Sequence, residues 1–201
     1  MERSVVVAVM LTGLIMATTF NTMTKSYIAT PGYPTLAGLK SAATSGNRTA
    51  QDLMGVHYLA NDVYAKAAYW FQKSAQQGDT SAENHLGTMY RQGLGVQKNF
   101  ITAIYWYQKS AAQGSADAAD KLGDAYSNGQ GVPKSYAQAV YWWRKAGMQG
   151  NAGAEDSLGK AYYFGDGVPK SYAQVAYWFQ KSAAQGDAAA ISNLNATKSG
   201  G

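Results

Sequence analysis

The chain has 201 residues, of which 46% are apolar and 14% are charged, and its formal net charge is +5. A chain of this length forms one ordinary domain or a short array of repeats. The mild positive charge favours acidic partners, but the lysines form no run, so the basic patch of a nucleic-acid-binding protein is not predicted. The sequence has no cysteine, which excludes disulfides, thiolate metal sites, cysteine nucleophiles and a lipoprotein anchor.

The amino-terminal segment predicts export. Residues 5–16 (VVVAVMLTGLIM) are all apolar or small and follow a short start that contains Glu2 and Arg3. Such a stretch is short for a membrane span and suits the hydrophobic region of a signal peptide. Because Glu2 offsets Arg3 and no clean A-x-A site follows, an uncleaved amino-terminal anchor is the alternative. Both interpretations assign residues 1–20 to targeting and predict a periplasmic or secreted bacterial protein.

The rest of the chain repeats every 36 residues. The phrase GVPKSYAQ occurs at residues 131–138 and again at 167–174. Three further series keep the same period: Trp70, Trp106, Trp142 and Trp178; Gly78, Gly114, Gly150 and Gly186; Leu86, Leu122, Leu158 and Leu194. Because a single helical hairpin cannot bury its own apolar face, this period predicts stacked helix–turn–helix units that share one core. We expect these units at about 46–78, 79–114, 115–150 and 151–186.

Each unit is predicted to consist of two helices, A and B. In the second repeat (79–114), helix A is predicted at 82–92 and helix B at 100–113, with apolar residues at helical spacing. The first glycine of each Gly-x-Gly-Val loop is expected to end helix A. Ser135 and Gln138 have the S-x-x-Q form of a capping box at the start of a helix B, and Ser171 is its counterpart. The residue after each junction glycine is a predicted N-cap of the next helix A: Asp79, Ser115, Asn151 and Asp187.

The two ends of the array depart from the pattern. The first repeat (46–78) lacks the four residues of the Gly-x-Gly-Val loop, so Asn61 or Asp62 is expected to cap its helix B. Residues 21–45 are predicted to be a linker that ends in a short capping helix around 39–43. At the other end, a lone capping helix is predicted at 187–197 and a tail at 198–201, and the polar surroundings of this last helix favour a monomer.

The repeat unit is similar to a known family. The pattern A-x-x-x-L-G-x-x-Y-x-x-G-x-G-V-x-K-x-x-x-x-A-x-x-W-x-x-K-[SA]-[AG]-x-Q-G is matched almost fully at 82–114, 118–150 and 154–186. It resembles the Sel1-like repeat, a relative of the tetratricopeptide repeat, and the resemblance extends over roughly 46–195. It implies an all-α protein, a right-handed α/α superhelix, that works as a protein-interaction scaffold.

No catalytic constellation stands out, and we expect no enzyme activity, no cofactor and no metal site. The Gly-x-Gly strings lack a preceding strand and a phosphate-loop lysine. His57 and His85 lie in different units without an H-x-x-E or H-E-x-x-H neighbour. A β-lactam-binding or hydrolysing enzyme, which cysteine-rich relatives suggest, is disfavoured because cysteine and an S-x-x-K helix start are both missing. Negative charge near a helix start favours the helix dipole, and this is our interpretation of Glu83, Asp120, Glu155 and Asp156.

Two surfaces are candidates for partner binding. The predicted concave face is lined by helix A positions that differ between the units: Val56; His85, Thr88, Arg91 and Gln92; Lys121, Asp124 and Asn128; Ser157, Lys160, Tyr163 and Phe164. The tryptophans are predicted to be core, whereas the tyrosines before them lie about 200° round the helix from the first alanine of the apolar stripe. Partial burial of these tyrosines between neighbouring helices B is the alternative to an exposed surface. With a lysine four residues on, they form an alternative outer column: Tyr69, Tyr105, Tyr141 and Tyr177. Recognition of one particular partner requires differences between copies, so the concave face is preferred.

These features predict a non-enzymatic exported module that binds a protein or peptide. The specific hypothesis is an immunity protein that neutralises a toxic effector with an acidic surface, such as a type VI secretion effector, in the periplasm. The alternative is an adaptor for an envelope, polysaccharide or motility assembly. No nucleic-acid partner is expected, and membrane contact is expected only through an uncleaved amino-terminal segment.

Overall fold

The structure is a computed structural model that describes residues 35–199, so the predicted targeting segment at 1–20 and the part of the predicted linker before residue 35 lie outside the described residues. Within 35–199 the chain forms ten α-helices and no strand. The helices are α1 (Leu36–Thr44), α2 (Arg48–Ala60), α3 (Tyr64–Gln76), α4 (Thr80–Gln92), α5 (Phe100–Ala112), α6 (Ala116–Asn128), α7 (Tyr136–Gly147), α8 (Ala152–Phe164), α9 (Tyr172–Ala184) and α10 (Ala188–Ser199). The predicted all-α class is confirmed.

The described chain divides into two compact units, which are considered separately below. The first unit comprises residues 35–82 with 93–97, and the second comprises residues 83–92 with 98–199. Helix A of a repeat corresponds to α2, α4, α6 or α8, and helix B to α3, α5, α7 or α9. In both units a helix A packs against the helix B that follows it.

The first unit opens with the predicted capping helix. Helix α1 buries Leu39 and Ala43 against Met54 of α2 and Trp70 of α3. The amide of the buried Gln51 donates to the carbonyl of Ala43. Helix α1 therefore covers the apolar end of the first hairpin, as a terminal cap must.

The predicted cap of α3 is wrong. Val63 occupies the N-cap position and provides no side-chain hydrogen bond. Asn61 instead ends α2, where its side-chain amide donates to the carbonyl of His57. Asp62 adopts a φ of 57° and accepts a hydrogen bond from the Tyr64 hydroxyl. The four missing loop residues leave no room for a separate cap, so both polar side chains stabilise the tight turn itself.

In the second unit the core aromatic of helix B is the residue after the repeated tryptophan. Tyr107, Trp143 and Phe179 are 0%, 7% and 2% exposed. Trp178 is also buried, at 6% exposure, as predicted for the tryptophans. Trp106 and Trp142 are only half-buried, and Trp142 packs against the buried cluster, so the prediction of core tryptophans holds only in part for these two. The successor lies four residues after the buried alanine or valine of the stripe, for example Ala103, and therefore points more directly at helix A.

Each of these aromatic rings packs onto the glycine of a Leu-Gly pair in helix A. A Cβ atom added to Gly123 would lie 2.4 Å from the Trp143 ring, and one added to Gly159 would lie 2.4 Å from the Phe179 ring. Such distances are far below van der Waals contact. The glycine thus creates the space into which the aromatic side chain fits, and this sets how closely helices A and B approach.

The loop of the repeated phrase combines a helix stop with a close approach. Gly129 ends α6 in the left-handed conformation, with a φ of 70°, which glycine adopts at little cost. A Cβ atom on Gly131 would lie 2.7 Å from the Phe100 carbonyl carbon at the start of the preceding helix B. The second glycine is therefore required by contact with the neighbouring repeat.

The capping box forms only half of its expected hydrogen bonds. The Ser135 hydroxyl accepts from the Gln138 backbone N–H at 3.3 Å, as predicted. The backbone N–H of Ser135, which the Gln138 side chain was expected to bind, donates to the Tyr126 carbonyl at 2.9 Å. Asn99 likewise caps α5, and Asp79, Ser115, Asn151 and Asp187 all accept from the third residue after them.

Candidate protein-interaction surfaces

The predicted concave-face residues of the second unit lie on α4, α6 and α8. Six of them are half-buried: His85, Thr88, Arg91, Lys121, Asp124 and Ser157. Five are exposed: Gln92, Asn128, Lys160, Tyr163 and Phe164. We call these eleven residues the helix A face. Val56 belongs to α2 of the first unit, where it is half-buried.

Helix α6 contributes a compact charged group to the helix A face. The Lys121 ammonium lies 2.7 Å from the Asp120 carboxylate and 3.9 Å from that of Asp124. The Trp143 indole N–H donates to the Asp124 carboxylate at 3.3 Å. Arg91 on α4 also acts electrostatically on Asp124. The structure thus brings together Arg91, Lys121 and Asp124, which the sequence places in two different repeats.

The pKa values of this group respond to burial and to neighbouring charge. Burial raises the pKa of Asp124, and the negative charge of Asp120 raises it further; Lys121, the Trp143 hydrogen bond and Arg91 oppose this incompletely. For Lys121, burial acts to lower the pKa, but the hydrogen bond and charge of Asp120, with Asp124, outweigh it and raise the pKa. The Lys121 charge is therefore already balanced within the protein.

Helix α8 presents a second ion pair and an exposed aromatic group. Lys160 lies 2.5 Å from Asp156, whose carboxylate also accepts from Asn193 of α10. Beyond this pair, Tyr163 and Phe164 are 44% and 60% exposed and stack edge to face at 5.0 Å. Tyr172, at the start of α9, lies 6.4 Å from the Tyr163 ring. Sequence reasoning missed Tyr172, since only the fold brings the start of helix B beside the end of helix A.

Two residues of the helix A face also hold the hairpins together. Thr88 shares a 3.1 Å hydrogen bond with the hydroxyl of the buried Tyr107. Asp124 accepts from Trp143, which occupies the equivalent position one repeat later. The sequence separation is 19 residues in both pairs. These side chains therefore join the surface to the core, a structural role that the sequence analysis did not assign to them.

The tyrosines of the outer column are exposed on one side and packed against neighbouring rings on the other. Tyr69 in the first unit is 53% exposed, and Tyr105, Tyr141 and Tyr177 in the second unit are 53%, 55% and 50% exposed. Each tyrosine ring packs edge to face against the tryptophan that follows it, at 4.9–5.1 Å. The lysines also lie over rings, for example Lys145 at 5.3 Å from Trp142. Such cation–π contacts hold the ammonium groups close to the column.

Glu83 and Glu155, which the sequence analysis interprets as helix-dipole partners, have a further role in the structure. Each is the centre of a clamp, by which we mean a buried carboxylate held by a lysine and a glutamine from the end of helix B. Glu83 and Glu155 are both 0% exposed. Lys109 lies 3.3 Å from Glu83, and the Gln113 amide donates to it at 2.7 Å. Lys181 and Gln185 hold Glu155 in the same way, at 2.8 Å each. A buried carboxylate needs such partners, so these residues bind helix A to helix B.

Within 35–199 there is no group of three or more histidine, aspartate or glutamate side chains placed to hold a metal ion. In the same range no helix is long and apolar enough to cross a membrane.

In the second unit, helical hairpins with glycine loops pack against one another in chain order, which is the arrangement of an α-solenoid repeat protein. The Sel1 repeat profile matches residues 50–79, 80–115, 116–151 and 152–187. The chain therefore belongs to the Sel1 repeat family, whose repeats generally mediate protein–protein interactions and typically form non-enzymatic scaffolds.

Solved structures with the same fold include two bacterial proteins. One is a protective antigen from uropathogenic Escherichia coli strains that displays an SLR fold, with 34% identity and a TM-score of 0.76 over 79% of this chain and 35% of that chain. The other is a Sel1 repeat protein from Oxalobacter formigenes, with 35% identity and a TM-score of 0.69 over 72% of this chain and 57% of that chain. This chain thus spans only part of both proteins.

Among curated proteins, a rat protein named DAP3-binding cell death enhancer 1 is 42% identical over 63 residues, which is 30% of this chain and 12% of that protein. The chain is similar to a small part of this relative.

Proposed function

We propose that this protein is a non-enzymatic interaction module whose helix A face in the second unit binds a protein partner. The observation that carries the proposal is the contrast between a constant scaffold and a variable face. At the last two positions of helix A, the three repeats of the second unit present Arg91 and Gln92, then serine and Asn128, then Tyr163 and Phe164. A surface of unlike residues on a repeating framework is suited to one particular partner.

The aromatic end of the helix A face is the strongest anchor. Tyr163 and Phe164, with the neighbouring Tyr172, which is 73% exposed, form a cluster of large, partly exposed rings. Aromatic side chains of this kind contribute most of the binding energy in many protein interfaces. The two lysines of the helix A face, Lys121 and Lys160, are already paired with aspartates of their own helices, so they are expected to add specificity more than affinity.

The test replaces residues that support this face without serving the core. The triple variant Arg91→Ala, Lys160→Ala and Tyr163→Ala should weaken partner binding at least about a hundredfold, as expected when an anchor and two polar contacts are lost. Circular dichroism should remain that of the parent protein. As a matched control, Lys98→Ala, Lys134→Ala and Lys170→Ala remove three exposed loop lysines and should leave the affinity unchanged. An unchanged affinity for the first triple variant, with the fold intact, would exclude this face.

The finer hypothesis concerns the partner. We propose that the chain is exported through residues 1–20 to the periplasm or beyond and neutralises a toxic effector there as an immunity protein. What supports this is the hydrophobic segment at 5–16 and a repeat array that provides surfaces for binding. Co-expression with the product of a neighbouring toxin gene should rescue growth with the parent protein and fail with the first triple variant. Rescue that does not depend on the helix A face, or a partner from an envelope assembly, would favour the adaptor role.

A further inference from the structure

The helix B surfaces of the second unit are cationic because acidic residues are confined to other elements. Helices α5, α7 and α9 contain no aspartate or glutamate but carry Lys109, Arg144, Lys145 and Lys181. The acids of the repeats lie on helices A and in the caps and loops. Any charge that reaches the outer column from helix B is therefore positive.

Two of the three column lysines are neutralised from within. Lys109 is paired with the buried Glu83, and Lys181 with the buried Glu155. The glutamate lies 26 residues before the lysine in each pair. In the third repeat the same position is Ala119, which is buried. Lys145 thus receives no carboxylate from the position that supplies one in the repeats on either side.

The glutamine that follows the lysine also has a different hydrogen-bond partner in the third repeat. Gln113 and Gln185 donate to the buried glutamates, whereas the Gln149 amide donates to the Lys145 carbonyl on the exposed surface. In the third repeat, Lys145 and Gln149 therefore bind no buried carboxylate of this kind and lie at the surface, whereas their equivalents in the second and fourth repeats hold Glu83 and Glu155.

Lys145 lies between two exposed residues of types that are enriched in protein interfaces. Tyr141 and Lys145 of α7 and its C-cap residue Met148, which keeps a right-handed helical backbone, are spaced i, i+4 and i+7, so they lie on one stripe at the end of this helix. Tyr141 is 55% exposed and Met148 is 75% exposed. The equivalents of Met148 in the neighbouring repeats are Ala112 and Ala184, so this stripe is more apolar than theirs. Tyrosine and methionine are enriched where proteins meet, and a lysine between them selects a negative charge.

We propose that the α7 stripe (Tyr141, Lys145 and Met148) is a second docking site, which binds an acidic segment of a protein partner through a carboxylate on Lys145. The site is separate from the helix A face and does not depend on what that face binds. Charge complementarity identifies the occupant, since the helix B surfaces offer cations and no acid. The exposed apolar side chains on both sides of the lysine favour a polypeptide over a purely anionic polymer.

The sharpest test restores the missing clamp. Ala119→Glu introduces the carboxylate found in the neighbouring repeats and leaves Tyr141, Lys145 and Met148 in place. Ala119→Gln is the uncharged control of the same size, and glutamine stands naturally at this position in the first repeat as Gln51. Ala189→Glu adds the same charge at an exposed site of α10 and controls for net charge. Thermal unfolding of each full-length variant verifies the fold.

The probe is a fluorescein-labelled peptide of sequence ELEYELE, followed by anisotropy. Ala119→Glu should weaken its binding about three- to fivefold, as expected for loss of one partly exposed ion pair, and Ala119→Gln and Ala189→Glu should match the parent protein. Lys145→Gln, a surface change, should give the same loss and covers the case in which Ala119→Glu does not fold. Tyr141→Ala should also weaken binding.

Three results would overturn the proposal. The first is unchanged peptide affinity in Lys145→Gln. The second is an equal loss in Ala119→Gln and Ala119→Glu, which would indicate a change of packing. The third is a dependence on Lys145 for heparin or for phosphatidylglycerol vesicles but not for the peptide, which would assign the stripe to a polysaccharide or a membrane. The helix A face variants serve as reference, because they should leave peptide binding intact if the two sites are separate.

Discussion

At the scale of single residues, the aromatic that follows the repeated tryptophan and the glycine beneath it determine how a hairpin closes. Phe179 is 2% exposed and its ring occupies the space where a Gly159 side chain would be. Because protein interiors are close-packed, a methyl group in that space has to displace the ring or separate the helices.

Gly159→Ala should therefore destabilise the protein by about 2–3 kcal/mol through overpacking. Gly153→Ala lies in the same helix, where an added Cβ atom meets nothing closer than 3.5 Å. That control should leave the free energy of unfolding unchanged or raise it by up to about 0.5 kcal/mol, because alanine favours the helix. Urea unfolding of both variants measures the difference. Equal effects in the two would contradict the packing role of Gly159.

Asp124 provides a second residue-scale prediction, one that depends on pH. Its pKa is raised above 3.8 in the folded protein, so the folded state holds the proton more tightly than the unfolded state does. The ionised carboxylate thus costs stability, and this cost appears as pH rises from about the unfolded value through the folded pKa. Asp124→Asn keeps an acceptor for Trp143 and removes the cost.

The Asp124→Asn variant should match the parent protein in stability at pH 3 to 4 and exceed it near pH 7, by less than about 1 kcal/mol because the side chain is partly exposed. Thermal unfolding across this pH range measures the effect. A variant that is less stable at pH 7 would show that attraction by Lys121 and Arg91 exceeds the cost of burial.

At the scale of elements, the helix ends were the most predictable part of the fold. Four junction caps and the Ser135 cap form the hydrogen bonds that their sequence positions predict. These interactions involve neighbours three residues apart, so local sequence determines them. The return half of the capping box did not form, because the Tyr126 carbonyl, which lies nearby only in the folded hairpin, accepts from Ser135 instead.

Ser135→Ala should accordingly cost about 1 kcal/mol of stability, the usual effect of losing an N-cap. Gln138→Ala should cost less than about 0.3 kcal/mol, since the exposed side chain does not complete the box and alanine is a good helix former. Chemical denaturation of the two single variants separates these effects. A larger loss in Gln138→Ala would restore the reciprocal capping box.

At the scale of the whole molecule, positive and negative side chains are distributed differently between helices A and helices B. The lysines of the helix A face, Lys121 and Lys160, are paired within their own helices. The four helices B, by contrast, carry no acidic residue at all. The acidic partner that the net charge of +5 predicted is therefore matched better by the helix B surfaces than by the helix A face.

The association rate of the ELEYELE peptide should fall as salt is raised from about 0.05 to 0.5 M, because screening shortens the range of the attraction. Stopped-flow anisotropy measures the rate. The charge-inverted peptide KLKYKLK is the control and should show no such acceleration at low salt. An association rate of the acidic peptide that does not change with salt would show that electrostatic steering does not contribute to its binding.

The sequence by itself determined the repeat period, the helix pairs, the family and the N-caps of the regular repeats, because each depends on spacing along the chain and on the local preferences of glycine, proline and capping side chains. It also placed the tyrosine column on a side of helix B away from the first alanine of the apolar stripe, because helical periodicity sets which side a residue faces; how far the rings are exposed depends on the neighbouring helices. The fourfold repetition made these signals strong, as each was read several times.

Only the tertiary structure decided which groups meet between helices. Glu83 and Glu155 are buried against lysines 26 residues further on, and Arg91 acts on Asp124 of the next repeat. Tyr172 meets Tyr163 only because a loop brings helix B back beside helix A. The energies of these contacts depend on distance and burial rather than on spacing along the chain. The scaffold could therefore be predicted from spacing along the sequence, whereas the contacts that form the surfaces of this protein depend on how the helices pack.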